Sequence, residues 1–272
     1  MKLAVLSDIH SNYYAFKACL KWIEENEIDG IIFLGDYVSD CAYPQKTMEL
    51  LYQVGRDYQT WFIRGNRETT LIEGNIGPDL ESMRYTYENL TKDDIAFLAS
   101  MPIAVEVCIN GYPLLSISHG DFQDDRAELF PDNEAMDKLC SEMRGKLHLC
   151  GHTHVSFIYE KDGKTVINPG SVGVPQDGTP QAKMAVLQSN GGNWEASLIQ
   201  LDYDVEKTVG EIHESRLFQR AGAFSRSTIA TIRTGKDYRK ECSKLAMEYE
   251  ASGETNLTTP ELWARAADEL GI

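Results

Sequence analysis

Two histidines in the tetrapeptide Gly151-His152-Thr153-His154 are the residues of this sequence best suited to chemistry. They follow an apolar strand, and their two-residue spacing directs both imidazoles to one side, where they could serve two adjacent metal ions. With 21 glycines and 6 histidines in 272 residues, a G-H-x-H pattern is expected by chance only about 0.01 times. A lone histidine is more often a hydrogen-bonded structural residue than a ligand, so the interpretation depends on further candidate ligands.

Those further candidates follow other apolar runs that are typical of buried strands. The runs cover residues 3–7, 31–34, 61–63, 113–118 and 147–150, and the polar residues after them are Asp8 and His10, Asp36, Asn66, His119, and His152 and His154. Each short motif alone is weak evidence, because D-x-H and Gly-Asp are common in turns. Taken in order they are strong evidence, because α/β sheets gather their ligand sites at strand ends.

The seven candidate ligands offer oxygen and nitrogen donors and no sulfur. Such a set suits Mn, Fe, Zn, Co or Ni better than a cysteine-bound structural zinc. Seven donors are too many for one closed tetrahedral site. They fit two ions about 3.5–4 Å apart, with one bridging carboxylate and positions left open for water and substrate.

The elements that must position these residues alternate between strands and helices, which predicts an α/β fold. Residues 1–203 contain the motifs and are predicted to form the catalytic domain. Helices are expected at about 13–25, 45–56, 80–100 with a break at Leu90-Thr91, and 133–144. Thr91 and Asp94 have the spacing of an N-terminal helix cap.

The second half of residues 1–203 shows more strand patterns, and helical spacing replaces them afterwards. Additional strands are expected at 103–109, 155–159, 165–167, 183–188 and 194–201, with hairpins at Asp162-Gly163 and at 190–192. From about Val205 the helical pattern takes over, and Thr259-Pro260 opens a last helix that runs to Leu270. We therefore expect residues 204–272 to form a C-terminal helical extension.

Length, charge and cysteine usage restrict the function classes. A chain of 272 residues can bury a full core. It shows no signal-peptide pattern and no apolar run that could cross a bilayer, and its six cysteines lack C-x-x-C spacing. We therefore expect a cytoplasmic protein with no membrane partner. The net charge of −16 argues against polymeric nucleic acid as a partner, because counterion release rewards basic surfaces.

Positive charge is nevertheless concentrated near the C-terminus. Residues 216–244 contain the basic residues Arg216, Arg220, Arg226, Arg233, Lys236, Arg239, Lys240 and Lys244 against only Asp237 and Glu241. This stretch could fold against the acidic body by charge complementarity. Alternatively, it could help to gather polyphosphate substrates.

The ordered motifs D-x-H, G-D, G-N, H and G-H-x-H over residues 8–154 resemble those of the calcineurin-like metallophosphoesterase superfamily. The stretch N-P-G-S-V-G at 168–173 is similar to a loop of its small bacterial and archaeal phosphodiesterase branch. The resemblance implies a four-layer α/β/β/α sandwich of two mixed sheets. It also implies two ions: the first bound by Asp8, His10 and His154, the second by Asn66, His119 and His152, with Asp36 bridging them.

One position departs from the family pattern. The family usually has a histidine after Gly-Asn, which helps to neutralise the phosphate and can protonate the leaving group, but this chain has Arg67. An arginine cannot act as a general acid, yet its planar fork pairs well with phosphate oxygens. Arg67 is therefore expected to bind substrate and, with His10, to serve catalysis. The alternative is a surface ion pair between Arg67 and Glu68.

The resemblance and the residues together predict a dinuclear metal-dependent phosphoesterase. A hydroxide shared by the two ions would attack phosphorus in line. Because Arg67 cannot donate a proton, phosphodiesters and nucleotide or dinucleoside-polyphosphate anhydrides are favoured as small substrates. The alternatives are a protein Ser/Thr phosphatase or another phosphomonoesterase. A protein of another class, a non-catalytic metal-binding interaction scaffold, is disfavoured because all seven donors are present.

Overall fold

A computed structural model describes residues 1–74, 76, 80–253 and 257–272 and contains two five-stranded sheets. The first sheet consists of β1 (Lys2–Leu6), β2 (Gly30–Phe33), β3 (Gln59–Phe62), β9 (Ala182–Asn190) and β10 (Asn193–Leu201). Its order is β10-β9-β1-β2-β3, with β1, β2 and β3 parallel and β9 antiparallel to both of its neighbours. The parallel strands are therefore central, and their carboxyl ends lie at one edge of the sheet.

The second sheet is also mixed. It consists of β4 (Ala104–Val107), β5 (Leu115–Ser118), β6 (Leu147–Leu149), β7 (Phe157–Lys161) and β8 (Lys164–Asn168). Its order is β4-β5-β6-β8-β7; β5, β6 and β8 are parallel, while β4 and β7 are antiparallel edge strands. Both expected hairpins are present, between β7 and β8 and between β9 and β10.

Among the described residues of the predicted catalytic part there are six helices, and their boundaries largely follow the expectations. They are α1 (Tyr13–Glu25), α2 (Pro44–Asp57), α3 (Asn66–Glu73), α4 (Glu81–Glu88), α5 (Lys92–Ala99) and α6 (Glu134–Glu142). The break expected at Leu90-Thr91 separates α4 from α5, where Thr91 and Asp94 form a reciprocal cap. Helix α3 was not predicted, because its sequence carries no apolar periodicity.

Three apolar clusters connect four layers. Leu3, Val5 and Ile32 of the first sheet pack against Ile117 and Leu149 of the second, which places one core between the sheets. The outer face of the first sheet packs against α1, α2 and α5, and the outer face of the second packs against α6. Alternating strand residues serve the two cores, as expected for a period of two. The predicted four-layer α/β/β/α sandwich of two mixed sheets is confirmed.

After β10 the chain continues into helices, as the helical spacing predicted, and the described residues 205–253 and 257–272 contain four of them. These are α7 (Val205–Glu214), α8 (Arg216–Thr234), α9 (Tyr238–Ser252) and α10 (Thr259–Glu269). Val209 and Ile212 of α7 and Ile232 of α8 pack against Cys41 and Val174, which lie in strand-end loops of the sandwich. The C-terminal helices therefore rest on the edge of the sandwich where the motifs converge. No helix in the described ranges is long and apolar enough to cross a membrane.

Candidate metal centre

The strand-end loops at this edge adopt unusual backbone conformations. Asp8, His10, Asp36, His152 and His154 all have positive φ angles between 49° and 67°. Non-glycine residues adopt this left-handed region at a cost, and such residues are concentrated at functional sites. The loops therefore depend on the surrounding structure to hold their side chains in place.

Glu68 at the start of α3 supplies part of that support. Its buried carboxylate accepts hydrogen bonds from the backbone N–H groups of Asp36 (2.8 Å), Tyr37 (2.9 Å) and Gly65 (2.9 Å). Burial and the nearby Asp36 raise the pKa of Glu68 to about 7. Glu68 faces the loop interior, so the alternative surface ion pair between Arg67 and Glu68 does not form.

The first group of donors consists of Asp8, His10 and His154. The Nε2 atoms of His10 and His154 face each other at 3.0 Å, and Asp8 Oδ1 lies 3.1 Å from His154 Nε2 and 3.7 Å from His10 Nε2. All three side chains are buried. Three donor atoms directed at one point are what a single bound cation requires.

The second group is formed by Asn66, His119 and His152, next to Asp36. Asn66 Oδ1 lies 3.2 Å from His119 Nε2 and 3.0 Å from His152 Nδ1. Asp36 Oδ2 lies between the groups, 3.5 Å from His119 Nε2 and 3.7 Å from His10 Nε2. The fold thus gathers all seven predicted donors, and Asp36 occupies the position that suits a bridge.

Hydrogen bonds behind the imidazoles determine which nitrogen faces the centre. His119 Nδ1 donates to the carbonyl of Leu34 (2.6 Å), and His154 Nδ1 donates to the carbonyl of Val174 (2.5 Å). A carbonyl can only accept, so each Nδ1 carries a proton, and each ring presents its Nε2 to the centre as the atom that is unprotonated whenever the ring is neutral. These two rings are therefore prepared to bind a cation.

The charges at the centre are strongly coupled. Burial opposes ionisation of Asp8 and Asp36, but neighbouring histidines outweigh it and hold the pKa of both carboxyl groups well below the usual range. Burial also lowers the pKa of His119, but Asp36 and Asp8 outweigh it and raise the pKa to about 10. Burial and the charge of His119 lower the pKa of His152 to about 4. Without a cation, a protonated imidazole compensates the two carboxylates.

One buried carboxylate oxygen lacks a hydrogen-bond partner, and a bound metal ion would compensate for this. Asp8 Oδ1 has no hydrogen bond from any described residue, although its other oxygen accepts from Ser7 Oγ (2.6 Å) and the His152 N–H (3.2 Å). A buried carboxylate oxygen with no partner is costly unless it binds a cation. The donor set and this oxygen fit the oxygen-and-nitrogen metal site that the sequence predicts.

Glycines at the motif positions allow this close packing. A Cβ on Gly151 would collide with Ser7 Oγ and approach Asp8 Oδ2 to 3.0 Å. A Cβ on Gly65 would collide with the Asp36 carboxylate. The glycines of G-H-x-H and G-N are therefore required because neighbouring strand ends meet there.

Asp40 is a functional candidate that the sequence did not reveal. Its buried Oδ2 lies 3.2 Å from His10 Nδ1 and 3.4 Å from Arg67 Nη2, and it also pairs with Arg239 Nη1. Burial opposes its ionisation, but Arg67, Arg239 and His10 outweigh burial and hold the pKa of Asp40 well below its usual range. Asp40 thus orients both a metal-ligand candidate and Arg67. No motif spacing marks it.

Arg67 lies at the edge of the centre, with 26% of its side chain exposed. Its backbone N–H donates to Asp36 Oδ1 (2.8 Å), and its Nε lies 3.9 Å from Asp36 Oδ2. The guanidinium is therefore both next to the proposed metal bridge and accessible to a ligand.

The basic stretch 216–244 is largely neutralised by acidic partners. Arg220 pairs with Glu81 and Glu88, Arg226 with Asp268, Arg233 with Glu206, and Lys244 with Glu248. Of these pairs, those of Arg220 join the stretch to the sandwich, whereas the other three acidic partners belong to the C-terminal helices themselves. Charge complementarity with the acidic body is therefore supported at Arg220. Arg239 differs, because it reaches the metal centre through Asp40.

Known proteins resemble this chain over most of its length. A model of the calcineurin-like phosphoesterase superfamily domain matches residues 1–192. An uncharacterised protein of Methanocaldococcus jannaschii is 29% identical over 238 residues, which are 79% of this chain and 93% of that protein. A metallophosphoesterase structure from Sphaerobacter thermophilus has 21% identity and a TM-score of 0.69, covering 85% of this chain and 99% of that one. A hypothetical protein structure from Pyrococcus horikoshii has 21% identity and a TM-score of 0.74, covering 86% and 98%.

Proposed function

We propose, from the premise that this chain belongs to the calcineurin-like phosphoesterase superfamily, that it hydrolyses phosphodiesters or nucleotide and dinucleoside-polyphosphate anhydrides with two divalent metal ions. Family membership confirms the predicted class of metal-dependent phosphoester hydrolase. The substrate preference and the use of two ions are our proposals. The observation that carries the substrate preference is the placement of Arg67 beside Asp36 at the open edge of the centre.

The residues present would hold the two ions in the arrangement expected from the motifs. Asp8, His10 and His154 would bind the first ion, and Asn66, His119 and His152 would bind the second. Asp36 would bridge them. When bound, such ions polarise the phosphoryl group and make a water molecule nucleophilic near neutral pH.

Arg67 would bind the phosphoryl group and stabilise the charge that develops in the transition state. Its planar guanidinium suits two phosphate oxygens at once. Asp40 and Asp36 raise the pKa of Arg67, even though burial opposes this. The group therefore stays charged and cannot protonate a leaving group. Leaving groups that depart without a proton, such as nucleotides and polyphosphates, are thus favoured over simple alcohols.

Two other functions are less well supported. A protein Ser/Thr phosphatase or another phosphomonoesterase would need a proton donor where this chain has Arg67. A non-catalytic metal-binding scaffold would have no use for an arginine held at the open edge of seven converging donors. The substrate panel described next distinguishes both alternatives from the proposed function.

The experiment is an assay of purified protein on a panel of phosphate esters, each tested with added Mn²⁺, Fe²⁺, Zn²⁺, Co²⁺ or Ni²⁺ and with chelator. The panel pairs a nitrophenyl monoester with the corresponding diester, and adds a dinucleoside polyphosphate and a phosphoserine peptide. We expect metal-dependent turnover with higher kcat/KM on the diester and the polyphosphate. Preference for the monoester or the peptide would contradict the substrate class. No turnover with any metal would favour the scaffold.

A further inference from the structure

A pocket of about 360 Å³ opens directly beside Arg67. Arg67 and Asp40 form one wall, and the remaining walls come from the start of α4, the middle of α8 and the start of α10. The volume lies within the range of about 300–1,000 Å³ that is typical of small-molecule sites. The pocket is therefore built mainly by the C-terminal helices and not by the family motifs.

Arg67 connects this pocket to the metal centre. Its Nε lies 3.9 Å from Asp36 Oδ2, while the same side chain lines the pocket. A phosphoryl group bound by the guanidinium would therefore have the metal centre on one side and the pocket on the other. A substituent attached to that phosphoryl group could enter the pocket without leaving the centre.

The pocket lining is mostly apolar and contains two aromatic rings. Phe224 and Trp263 lie with their ring centroids 6.0 Å apart at an interplanar angle of 45°, and both are only partly buried. Met83, Ala221 and Ala264 add further apolar surface. Aromatic side chains of this kind bind planar rings by stacking, which tolerates different ring identities.

The shape of α8 makes room for the pocket. The helix kinks at Gly222, which has φ 42° and ψ −110°, and a Cβ added there would meet no atom within 4 Å. Only glycine adopts such a conformation readily. The kink therefore lies in the wall of the pocket, and the space next to Gly222 is open.

A polar group in the pocket wall also lacks a partner. Ser82 is buried, and its hydroxyl forms no hydrogen bond with any residue in the described part of the chain. The charged Arg220 in the same wall is already paired with Glu81 and Glu88. Because its arginine is already paired, the wall is less suited to a second phosphate than to an uncharged ring.

We propose that this pocket binds a planar aromatic substituent of the substrate, of the nucleobase class, while Arg67 binds the attached phosphoryl group. The proposal deepens the proposed function and rests on it for the position of the phosphoryl group. It makes the C-terminal helices the part of the chain that selects among phosphodiesters. The ligand is identified by its chemistry: a flat, uncharged ring with hydrogen-bonding edges, one linker away from phosphorus.

The test compares two diesters that share a leaving group. One is the nitrophenyl ester of a nucleoside 5′-phosphate, and the other is nitrophenyl methyl phosphate. We expect the wild-type kcat/KM to be about 10-fold higher for the nucleoside ester, the scale of one base-stacking contact. The substitution Ala264→Phe, which fills the pocket, should reduce this ratio to near one, and Trp263→Ala should reduce it in the same direction.

The matched control is Ala96→Phe, the same change on an exposed position of α5 outside the pocket. It should leave the ratio unchanged. Circular dichroism and thermal unfolding would establish that the variants are folded. A wild-type ratio near one, or a ratio that survives Ala264→Phe, would overturn the pocket proposal.

A binding measurement separates this proposal from the proposed function. If neither diester is hydrolysed with any metal, the proposed function fails, and the pocket is then judged by calorimetric titration of the metal-loaded protein with AMP and with ribose 5-phosphate. AMP binding at least about 10-fold tighter, lost in Ala264→Phe, would support the pocket. Equal affinities would contradict it.

Discussion

The strand-end loops and the C-terminal helices meet at the same site but contribute to it differently. The loops and the start of α3 provide the polar donors, five of them on a left-handed backbone, and every donor belongs to a short motif. The helices provide an apolar wall and a buried ion pair between Arg239 and Asp40. In our proposal the loops carry the chemistry shared by the family, whereas the helices form the surface that a particular substrate would contact.

This difference predicts how many properties of the protein a substitution in each region should alter. A donor in the loops has several partners within 4 Å, so its loss affects metal binding and catalysis together. A residue of the helices acts through one contact or through the shape of the pocket. Three predictions test this contrast, from the largest expected effect to the smallest, and a fourth tests the strand that leads into the G-H-x-H loop.

The largest effect is expected from Asp36→Ala. Asp36 Oδ2 lies between the two donor groups, so its removal should lower bound metal from two ions to one or fewer and reduce turnover to that of the chelator-treated enzyme. Elemental analysis and activity assays measure both effects. The control Asp36→Asn keeps an acceptor for the Arg67 N–H but removes the charge. Two tightly bound ions in Asp36→Ala would refute the dinuclear centre.

Arg67→Ala should separate catalysis from metal binding. We expect kcat to fall by about 10²-fold, as when one stabiliser of transition-state charge is removed, while both metals remain bound. Arg67→His should raise activity on esters with poor leaving groups relative to good ones and add an ionisation to the pH profile, because imidazole can donate a proton. Steady-state kinetics on a nitrophenyl monoester and diester measure both changes. Identical kcat/KM values in all three proteins would show that Arg67 does not act on the substrate.

Arg239→Gln tests the ion pair that links the helices to the loops. Asp40 contacts His10 Nδ1, and loss of a group that orients a metal ligand typically weakens metal affinity by about 10-fold or more. We therefore expect the metal concentration for half-maximal activity to rise several-fold. The matched control is Arg233→Gln, whose arginine pairs with the exposed Glu206. An equal response of the two variants would show that Arg239 has only a structural role.

His148 should affect stability and its pH dependence without affecting turnover. Ser118 Oγ donates to the Gly120 carbonyl, so it accepts from His148 Nε2 (2.9 Å), and Ser116 Oγ donates to Nδ1 (2.9 Å). This arrangement suits a neutral ring, and burial lowers the pKa of His148 to about 3.

In the unfolded chain His148 takes up a proton near pH 6.5. Between pH 6.5 and 3 the unfolded state therefore binds more protons, and the free energy of unfolding falls as the pH falls, by up to about 1.4 kcal/mol per pH unit from this group. His148→Asn should be less stable at pH 7 but should lose less stability on going to pH 5. Urea unfolding at both pH values measures this difference. Equal losses in both proteins would contradict it.

The fold was largely predictable because its signals are local. Apolar runs predicted the strands, the cap at Thr91 and Asp94 predicted the break between α4 and α5, and Asp162-Gly163 predicted a hairpin. Helix α3 was missed because it is organised by Glu68, whose carboxylate binds backbone groups 31 and 32 residues away. Its start therefore depends on tertiary contacts.

The sequence by itself identified the residues that we propose as metal ligands, because strand-end donors of the right type recur in a fixed order and parallel strands end at one edge. It also identified Arg67 as the position that departs from the family. Only the tertiary structure decided that Asp40 joins His10, Arg67 and Arg239, and that α4, α8 and α10 enclose a pocket beside them. The physical reason is distance along the chain: Asp40 and Arg239 are 199 residues apart, and no local pattern marks an ion pair that forms only when the helices pack onto the sandwich.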